Sequence, residues 1–226
     1  VQFGLAPTWS FEMGLLSVHC AVLLFGLAGI FGKTVELSSA EITWGRTTLA
    51  ALALGCTLAL RGDRIRIQRK EIFSFVIMGL LLALHWWSFF HAIQLSTVAI
   101  GLLSFASFPI IVLLLEPFTD NIEFRVSNVL YALVSLLGVS LVLPDLSFQT
   151  DHSIGGLWGI FSGALYAVVT VMNRRYIRRY SALTIGFWQY LFAGLILSVL
   201  VLPKGIALNG ETIIELLVLG FIFTAL

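Results

Sequence analysis

Charged residues are scarce in this sequence. Only 11% of the 226 residues are charged, 59% are hydrophobic, and the mean hydropathy is +1.00. A soluble domain carries about 25% charged residues. This scarcity of charge therefore excludes an ordinary soluble globular protein and indicates an integral membrane protein.

A basic surplus and the common metal motifs are also missing. The net charge is +1, which gives no positive field for holding nucleic acid, so no such partner is expected. Cys20 and Cys56 both lie in apolar runs, where a thiol behaves as a small hydrophobe. The sequence contains no His-x-x-x-His or Cys-x-x-Cys pair. It therefore predicts neither a metal site nor a cofactor.

Long apolar runs, in contrast, fill most of the chain. They lie near residues 14–32, 40–60, 72–95, 98–118, 126–143, 154–173, 182–202 and 213–226. A helix of about 20 apolar residues crosses the hydrocarbon layer of a membrane. Seven runs have that length, and the eighth looks cut short at residue 226. The pattern predicts an all-α polytopic transmembrane bundle with about eight helices.

The distribution of Lys and Arg predicts how the bundle is oriented. If the N-terminus is cytoplasmic, the outer links hold only Lys33 and Lys204. The inner links then hold ten basic residues: Arg61, Arg64, Arg66, Arg69, Lys70, Arg125, Arg174, Arg175, Arg178 and Arg179. Cytoplasmic links are enriched in basic residues. We therefore expect a multi-pass plasma membrane protein with its N-terminus inside, and a bacterial inner membrane is the expected location.

Five spans precede the acidic link at residues 144–153, which suggests two halves. An odd number of spans per half inserts the second copy upside down, as in many secondary transporters. Ser39 and Ala40 recur as Ser181 and Ala182, 142 residues later. We interpret residues 1–148 as one five-helix repeat and residues 149–226 as helices six to eight of a second. Chance alignment of apolar helices is the alternative.

Several short features follow one another along the spans. They are Phe25 and Gly26 through Lys33, Arg46, residues 92–97 (Ala-Ile-Gln-Leu-Ser-Thr), Pro109, Glu116, and Gly138 with Val139. In this order the chain resembles the EamA-type members of the drug/metabolite transporter superfamily. The resemblance implies ten helices in two inverted five-helix repeats, so the rest of the eighth helix and two more are expected to follow. It also implies export of small metabolites, with amino acids or related compounds as the substrate class.

Charged residues within the spans need a physical reason, because a charge at mid-helix costs about 2.5–3.5 kcal/mol on insertion scales. Arg46 lies about two turns into the second span. We expect it to snorkel to the outer interface or to pair with Glu41, with a role in the transport pathway as the alternative. Glu116, next to Pro117, is expected at the inner water boundary in a structural or gating role.

Pro109 interrupts the fourth span. Proline removes one backbone hydrogen bond from a helix and usually bends it. With Ser104 and Ser107 beside it, Pro109 predicts a kink that moves during gating, although kinks are also common in membrane helices that do not move.

Six residues are our candidates for binding substrate: His19, His85, Trp86, Ser107, Trp158 and Tyr166. His85 is preferred over His91 because the two lie about 120° apart on the third helix, so only one faces a central cavity. Trp86 and Trp87 also flank His85 at mid-depth rather than at the interface where Trp usually lies. The alternative is that the histidines only form hydrogen bonds between helices.

The sixth span carries two stripes at a spacing of four residues. Gly155, Gly159, Gly163 and Ala167 form a ridge of small residues on which another helix packs closely. Trp158, Ser162 and Tyr166 form a neighbouring stripe, whose aromatic faces and polar tips suit semi-polar organic solutes. The alternative for the second stripe is that its residues face lipid or only pack against other helices. We predict a binding site near mid-membrane between the first, third, fourth and sixth helices.

These features predict a secondary transporter that works by alternating access. Its partners would be a small-molecule substrate and the lipid bilayer. A proton is a candidate coupling ion because of the buried histidines, while facilitated movement needs none. No feature predicts an oligomeric state. The alternatives are a non-transporting scaffold or degenerate paralogue, and a membrane-embedded enzyme using Glu116 or a histidine. The sequence offers the enzyme no pairing of a nucleophile with a base.

Overall fold

The structure, a computed structural model, describes residues 8–119, 150–205 and 210–222, with isolated helical positions between 127 and 141. Most of the predicted fifth span, Arg125 and the acidic link that follows lie outside the described residues. The part of the chain that is described is helical and contains no β-strand. This confirms the predicted all-α bundle.

The helices follow the predicted spans closely. They are α1 (Thr8–Thr34), α2 (Ser39–Arg61), α3 (Ile72–Leu95), α4 (Val98–Phe105), α5 (Phe108–Thr119), α6 (Asp151–Tyr176), α7 (Ala182–Val201) and α8 (Gly210–Leu217). α8 continues into one π-helical turn, Val218–Ile222. Two helices, α4 and α5, occupy the predicted fourth span, because the chain leaves helical geometry between them.

Local sequence explains where several helices begin and end. Four of them start after a Ser or Thr side chain that accepts a hydrogen bond from a backbone N–H in the first turn: Ser38, Thr97, Thr150 and Ser181. At Ser38 the Glu41 carboxylate bonds back to the backbone N–H and completes a capping box. α2 ends at Gly62, whose φ of 67° is a left-handed conformation that glycine adopts without strain.

Five described segments are long and apolar enough to cross a membrane. They are Met13–Thr34, Arg69–Leu95, Val98–Pro117, Asp151–Tyr176 and Ala182–Lys204. α2 also has the length of a span, with 23 residues, but it is more polar. Its Thr43, Arg46 and Thr47 are at most 1% exposed, so other helices cover its polar face. Apolar side chains such as Leu60, Phe73 and Val199 point outward instead, each at least 74% exposed. This inside-out arrangement defines a polytopic membrane bundle.

α3 lies at the centre of the bundle. It packs on α1, α2, α4, α6 and α7, and its contact with α6 is the most extensive. Phe75, Met78, Phe89, Phe90 and Ile93 of α3 are fully buried. A residue placed on α3 is therefore well positioned to meet side chains from several helices at once.

The predicted ridge of small residues on α6 does pack against its neighbours. A Cβ added at Gly155 would lie 3.0 Å from the backbone oxygen of Ala92 on α3. One added at Gly159 would lie 2.6 Å from the Ser104 Cβ of α4, and one at Gly163 would lie 3.0 Å from the Phe105 oxygen. The backbones of α3, α4 and α6 approach this closely because glycine has no side chain.

The two basic links lie at the same end of the bundle. Arg179 donates a hydrogen bond of 2.7 Å to the Glu71 carboxylate, and Tyr180 donates another to the same carboxylate. Desolvation, followed by this hydrogen bond to Glu71, raises the pKa of the Tyr180 hydroxyl. Lys33 lies at the opposite end, where its ammonium donates to the Ile93, Gln94 and Ser96 carbonyls at the end of α3. The positions of the basic residues thus match the predicted threading.

Replacing Gly159 by Ala should destabilise the bundle. The new methyl group would meet Ser104 Cβ at 2.6 Å and the Gly101 carbonyl oxygen at 3.2 Å, so α4 and α6 must separate. Overpacking of this kind costs about 1–3 kcal/mol. Thermal unfolding in detergent should show a lower midpoint.

Gly26→Ala on α1 is the matched control, because nothing lies within 4 Å of its added Cβ. It should leave the midpoint unchanged or raise it, since Ala favours helix over Gly by about 1 kcal/mol. Equal midpoints for the two variants would contradict the close packing of α6.

Candidate functional site

His85 is fully buried where α3 meets α6. Its Nδ1 lies 2.8 Å from the Ser162 hydroxyl oxygen, and that hydroxyl lies 3.0 Å from the His85 carbonyl oxygen. The hydroxyl donates to the carbonyl, so it accepts from Nδ1–H. This assigns the proton of a neutral imidazole to Nδ1 and leaves Nε2 as a hydrogen-bond acceptor. Nε2 is buried and has no hydrogen-bond partner in the described part of the chain.

Trp86 stands next to His85 and is only 7% exposed. Its indole N–H is likewise buried without a partner among the described residues. The guanidinium of Arg46 lies over the indole, with its central carbon 3.7 Å from the ring centroid. A cation over the face of Trp is the most favourable cation–π geometry. α2 and α3 are thereby joined by a buried positive charge.

Aromatic rings from four helices surround His85. Its ring centroid lies 4.8 Å from that of Tyr166 on α6 and 5.2 Å from that of Phe105 on α4. Phe25 of α1 lies 5.2 Å from Phe105 and 6.0 Å from Trp86. The predicted lining by the first, third, fourth and sixth helices thus corresponds to one ring cluster in the structure.

The break between α4 and α5 lies beside this cluster. Pro109 has no N–H to bond the carbonyl four residues earlier, and that carbonyl, of Phe105, faces Gly163 of α6 instead. Ser107 lies in the break and is 3% exposed, and its hydroxyl has no partner in the described part of the chain. The sequence correctly placed an interruption here.

The structure does not bring His19 and Trp158 to this cluster. His19 is exposed on α1 and bonds only to the Leu15 carbonyl of its own helix. It lies about 120° round α1 from Phe25, the residue that reaches the cluster. Trp158 packs on Trp87 and His91, with ring centroids 5.3 Å away in both cases. Trp87 lies about 200° round α3 from His85, so Trp158 contacts a different face.

The structure contradicts our expectation for Arg46. It neither snorkels to the interface nor pairs with Glu41, since it is 1% exposed and the Glu41 carboxylate is bonded to Ser38. The α2 helix turns Arg46 inward, and Trp86 and Phe90 of α3 supply the faces that cover it. The sequence could not show that Arg46 turns inward rather than to the interface, because the rings that cover it are 40 and more residues away.

Glu116 lies at the end of the bundle that carries the basic links. It forms an ion pair with Arg174, which extends from the last turn of α6. The pair joins α5 to α6 at the water boundary where the sequence placed Glu116. A gating role for it remains a prediction.

Three further residues of the cluster were missed or ranked too low. Ser162 belongs to the predicted stripe on α6, and its spacing from Tyr166 was the signal that could have selected it. The Phe105 side chain has no polar atom, so no sequence feature marked it as a candidate. Tyr190 of α7 is close enough to Arg46 for an electrostatic interaction, which no sequence spacing could reveal. Among the described residues no group of His, Cys, Asp and Glu is arranged to hold a metal ion.

The fold and the buried cluster define a polytopic helical membrane protein with hydrogen-bonding groups inside the bundle. A model of the EamA-like transporter family matches residues 12–143 and 153–226. The chain belongs to the EamA-like transporter family. It is also similar to an uncharacterized transporter of Bacillus subtilis (strain 168), YxxF, with 25% identity over 165 residues, which is 71% of this chain and 53% of that protein. The chain thus spans about half the length of this curated relative.

A solved crystal structure shares the fold. It superposes with a TM-score of 0.64 at 21% sequence identity, over 92% of this chain and 74% of that one. The match supports the arrangement of helices and carries no information about substrate.

Ser162→Ala should lower stability, because it removes the hydroxyl that lies 2.8 Å from His85 Nδ1 and leaves that nitrogen only the Ser162 backbone carbonyl at 3.2 Å. Loss of one hydrogen bond costs about 0.5–1.5 kcal/mol. Ser17→Ala on α1 is the control, since the Ser17 hydroxyl is exposed and bonds only to the Met13 carbonyl of its own helix. Thermal unfolding in detergent should separate the two, and an equal effect would mean that the bond between α3 and α6 contributes nothing.

Proposed function

We propose that this protein is a secondary transporter that moves amino acids or related small metabolites across the plasma membrane by alternating access. The substrate site lies in the middle of the bundle, around His85 and Trp86. Membership of the EamA-like transporter family supports transport as the activity. The substrate class is what the family resemblance implies, and the chemistry of the site supports it.

One observation carries the proposal. His85 Nε2, Trp86 Nε1 and Ser107 Oγ are buried, and each lacks a hydrogen-bond partner in the part of the chain that is described. Buried polar atoms without partners cost about 1–3 kcal/mol each, so a protein keeps few of them without a use. A bound substrate with its own polar atoms would satisfy them.

The chemistry of these atoms suits an amino acid. His85 Nε2 is an acceptor and Trp86 Nε1–H is a donor, and their rings are neighbours with centroids 4.6 Å apart. An ammonium group would donate to the imidazole, and a carboxylate would accept from the indole. The positive charge of Arg46, 3.7 Å above the same indole ring, favours a substrate that carries a carboxylate.

The break between α4 and α5 supplies a place for movement. Discontinuous helices beside the binding site are a common device of secondary transporters. Pro109 weakens the backbone at this break, and Ser107 lies within it against Gly163. We infer that α5 tilts relative to α4 as the site changes access. The Glu116 pair with Arg174 would resist that tilt at the inner end and is a gating element in this proposal.

Helix contacts support the inverted repeat. The first turns of α2 and α7 are capped by Ser38 and Ser181, which are 143 residues apart (181 minus 38). Suppose that α1, α2 and α3 correspond to α6, α7 and α8. A pseudo-two-fold axis then relates the contact of α3 with α7 to a contact of α8 with α2, and it also places α2 against α7. All three contacts are present. Residues 1–148 and 149–226 would then be the first repeat and part of the second.

A crevice between α6 and α7 supports access from the end with the basic links. It has a volume of about 330 Å³ and is lined by Asn173, Arg174, Gln189 and Tyr190, among others. Tyr190 lies at its deep end and interacts electrostatically with Arg46. The basic links would face the cytoplasm under the positive-inside rule.

The test of transport uses the full-length protein reconstituted in liposomes. The liposomes are supplied with a panel of labelled amino acids and metabolites. We expect flux of at least one compound that carries a carboxylate. Trp86→Phe, which removes the indole N–H and keeps the ring, should raise KM by about 3- to 10-fold, the cost of one hydrogen bond. Trp158→Phe, away from the cluster, is the control and should leave KM unchanged.

Absence of flux for every compound would remove the transport proposal and favour a scaffold. Flux with equal effects of the two substitutions would keep transport and reject this site.

Orientation is tested by labelling single cysteines from one side of sealed vesicles, in a background in which Cys20 and Cys56 are Ser. Cysteines at Gln68 and Arg178 should react with a membrane-impermeant reagent from the cytoplasmic side only. A cysteine at Glu36, next to the opposite end of the bundle, should react from the outside. Labelling of Gln68 and Arg178 from opposite sides would overturn the threading of the whole bundle.

A further inference from the structure

The strongest charged surface outside the central cluster is a groove at the end of the bundle with the basic links. Its volume is about 1030 Å³. Its lining includes Asp63, Arg64, Arg66, Gln68, Arg179 and Thr184. We propose that this groove binds the phosphate of an anionic phospholipid headgroup. The proposal does not depend on transport.

The exposure of the side chains alternates along residues 64–68. Arg64, Arg66 and Gln68 are exposed, while Ile65 and Ile67 are half-buried. Ile67 packs on the apolar cluster that contains Phe75. Both guanidinium groups therefore project from the same side of the segment, where they can approach one phosphate together.

Hydrogen bonds hold this segment in place against α7. The Thr184 hydroxyl donates to the Arg64 carbonyl at 3.2 Å, and the Trp188 indole donates to the Ile65 carbonyl at 2.7 Å. The Gln68 N–H donates to the Tyr180 hydroxyl at 3.1 Å. All three involve the backbone of the segment, so the arginine side chains remain available. A groove with fixed walls has less entropy to lose when it binds a headgroup.

The charge around the groove is strongly positive. Arg61, Arg69, Lys70, Arg175 and Arg178 are exposed nearby, in addition to the arginines of the lining. Asp63 is the acidic residue of the lining, and Glu71 is bonded to Arg179. Clusters of four to eight basic residues next to a membrane helix attract anionic lipids, at about 1 kcal/mol per residue. Arginine also matches phosphate geometry with two parallel hydrogen bonds.

The position of the groove favours a lipid over a free phosphate ion. It lies where α2 ends and α7 begins, next to the exposed apolar residue Leu60 near the end of α2. A headgroup in the groove leaves its acyl chains beside such apolar side chains. A free ion gains nothing from them.

Lipid binding to the purified chain in a neutral detergent measures the proposal directly. Native mass spectrometry would follow titration with phosphatidylglycerol, with phosphatidylcholine as the neutral lipid and with inorganic phosphate as the free ion. We expect phosphatidylglycerol to bind at least tenfold more tightly than phosphatidylcholine. The double substitution Arg64→Gln and Arg66→Gln should weaken its binding about 30-fold, from about 1 kcal/mol for each arginine.

Arg69→Gln with Lys70→Gln is the matched control. It removes the same charge from the same link, but neither residue lines the groove, so only the long-range attraction is lost and binding should weaken several-fold less than in the first double variant. Arg64→Gln and Arg66→Gln as single variants, each with a thermal unfolding curve, separate loss of binding from loss of folding.

Three results would overturn the proposal. Equal losses in the two double variants would mean that diffuse charge alone attracts the lipid. No preference for phosphatidylglycerol over phosphatidylcholine, which has a phosphate but no net charge, would remove the preference for an anionic headgroup. Displacement of the lipid by inorganic phosphate at equal concentration would make the free ion the ligand.

Discussion

A polar atom inside a membrane has no water to bond, so another helix must satisfy it. The contact of α3 with α6 meets this constraint at His85 and Ser162, whose side chains and backbones are joined by three hydrogen-bond contacts. The contact depends on the glycines of α6, which let the backbones of α3 and α4 come close. The ring cluster and the position of Ser107 against Gly163 depend on that close approach.

The same constraint is the reason why we place the proposed binding site in the middle of the bundle. Ser162 satisfies one nitrogen of His85, while the other nitrogen and the Trp86 N–H are without partners in the described chain. Arg46 is covered by the aromatic faces of Trp86 and Phe90, which stabilise a cation. The site therefore combines a fixed framework with hydrogen-bonding capacity and positive charge, and the EamA-like family gives that combination a transport context.

The two ends of the bundle are built differently. At one end Lys33 bonds three carbonyls at the end of α3, where the helix dipole favours a cation. At the other end the arginines of residues 63–68 are exposed, and hydrogen bonds to the backbone of this segment hold it against α7. In our view these arginines serve two purposes, since the charges that orient a chain during insertion also lie at the level of the lipid headgroups.

The sequence by itself determined the class of protein and much of the fold. Hydropathy indicates which segments are long and apolar enough to cross the lipid, Ser and Thr caps such as Ser38 and Ser181 fix where helices begin, and Pro109 fixes where one breaks, because each acts within a few residues. It also identified His85, Trp86, Ser107 and Tyr166 as polar or aromatic groups at mid-depth. Only the tertiary structure decided which of them meet. Arg46 contacts Trp86, His19 is exposed on α1 and Trp158 packs on Trp87. These outcomes depend on helix rotation and on partners far away in the chain.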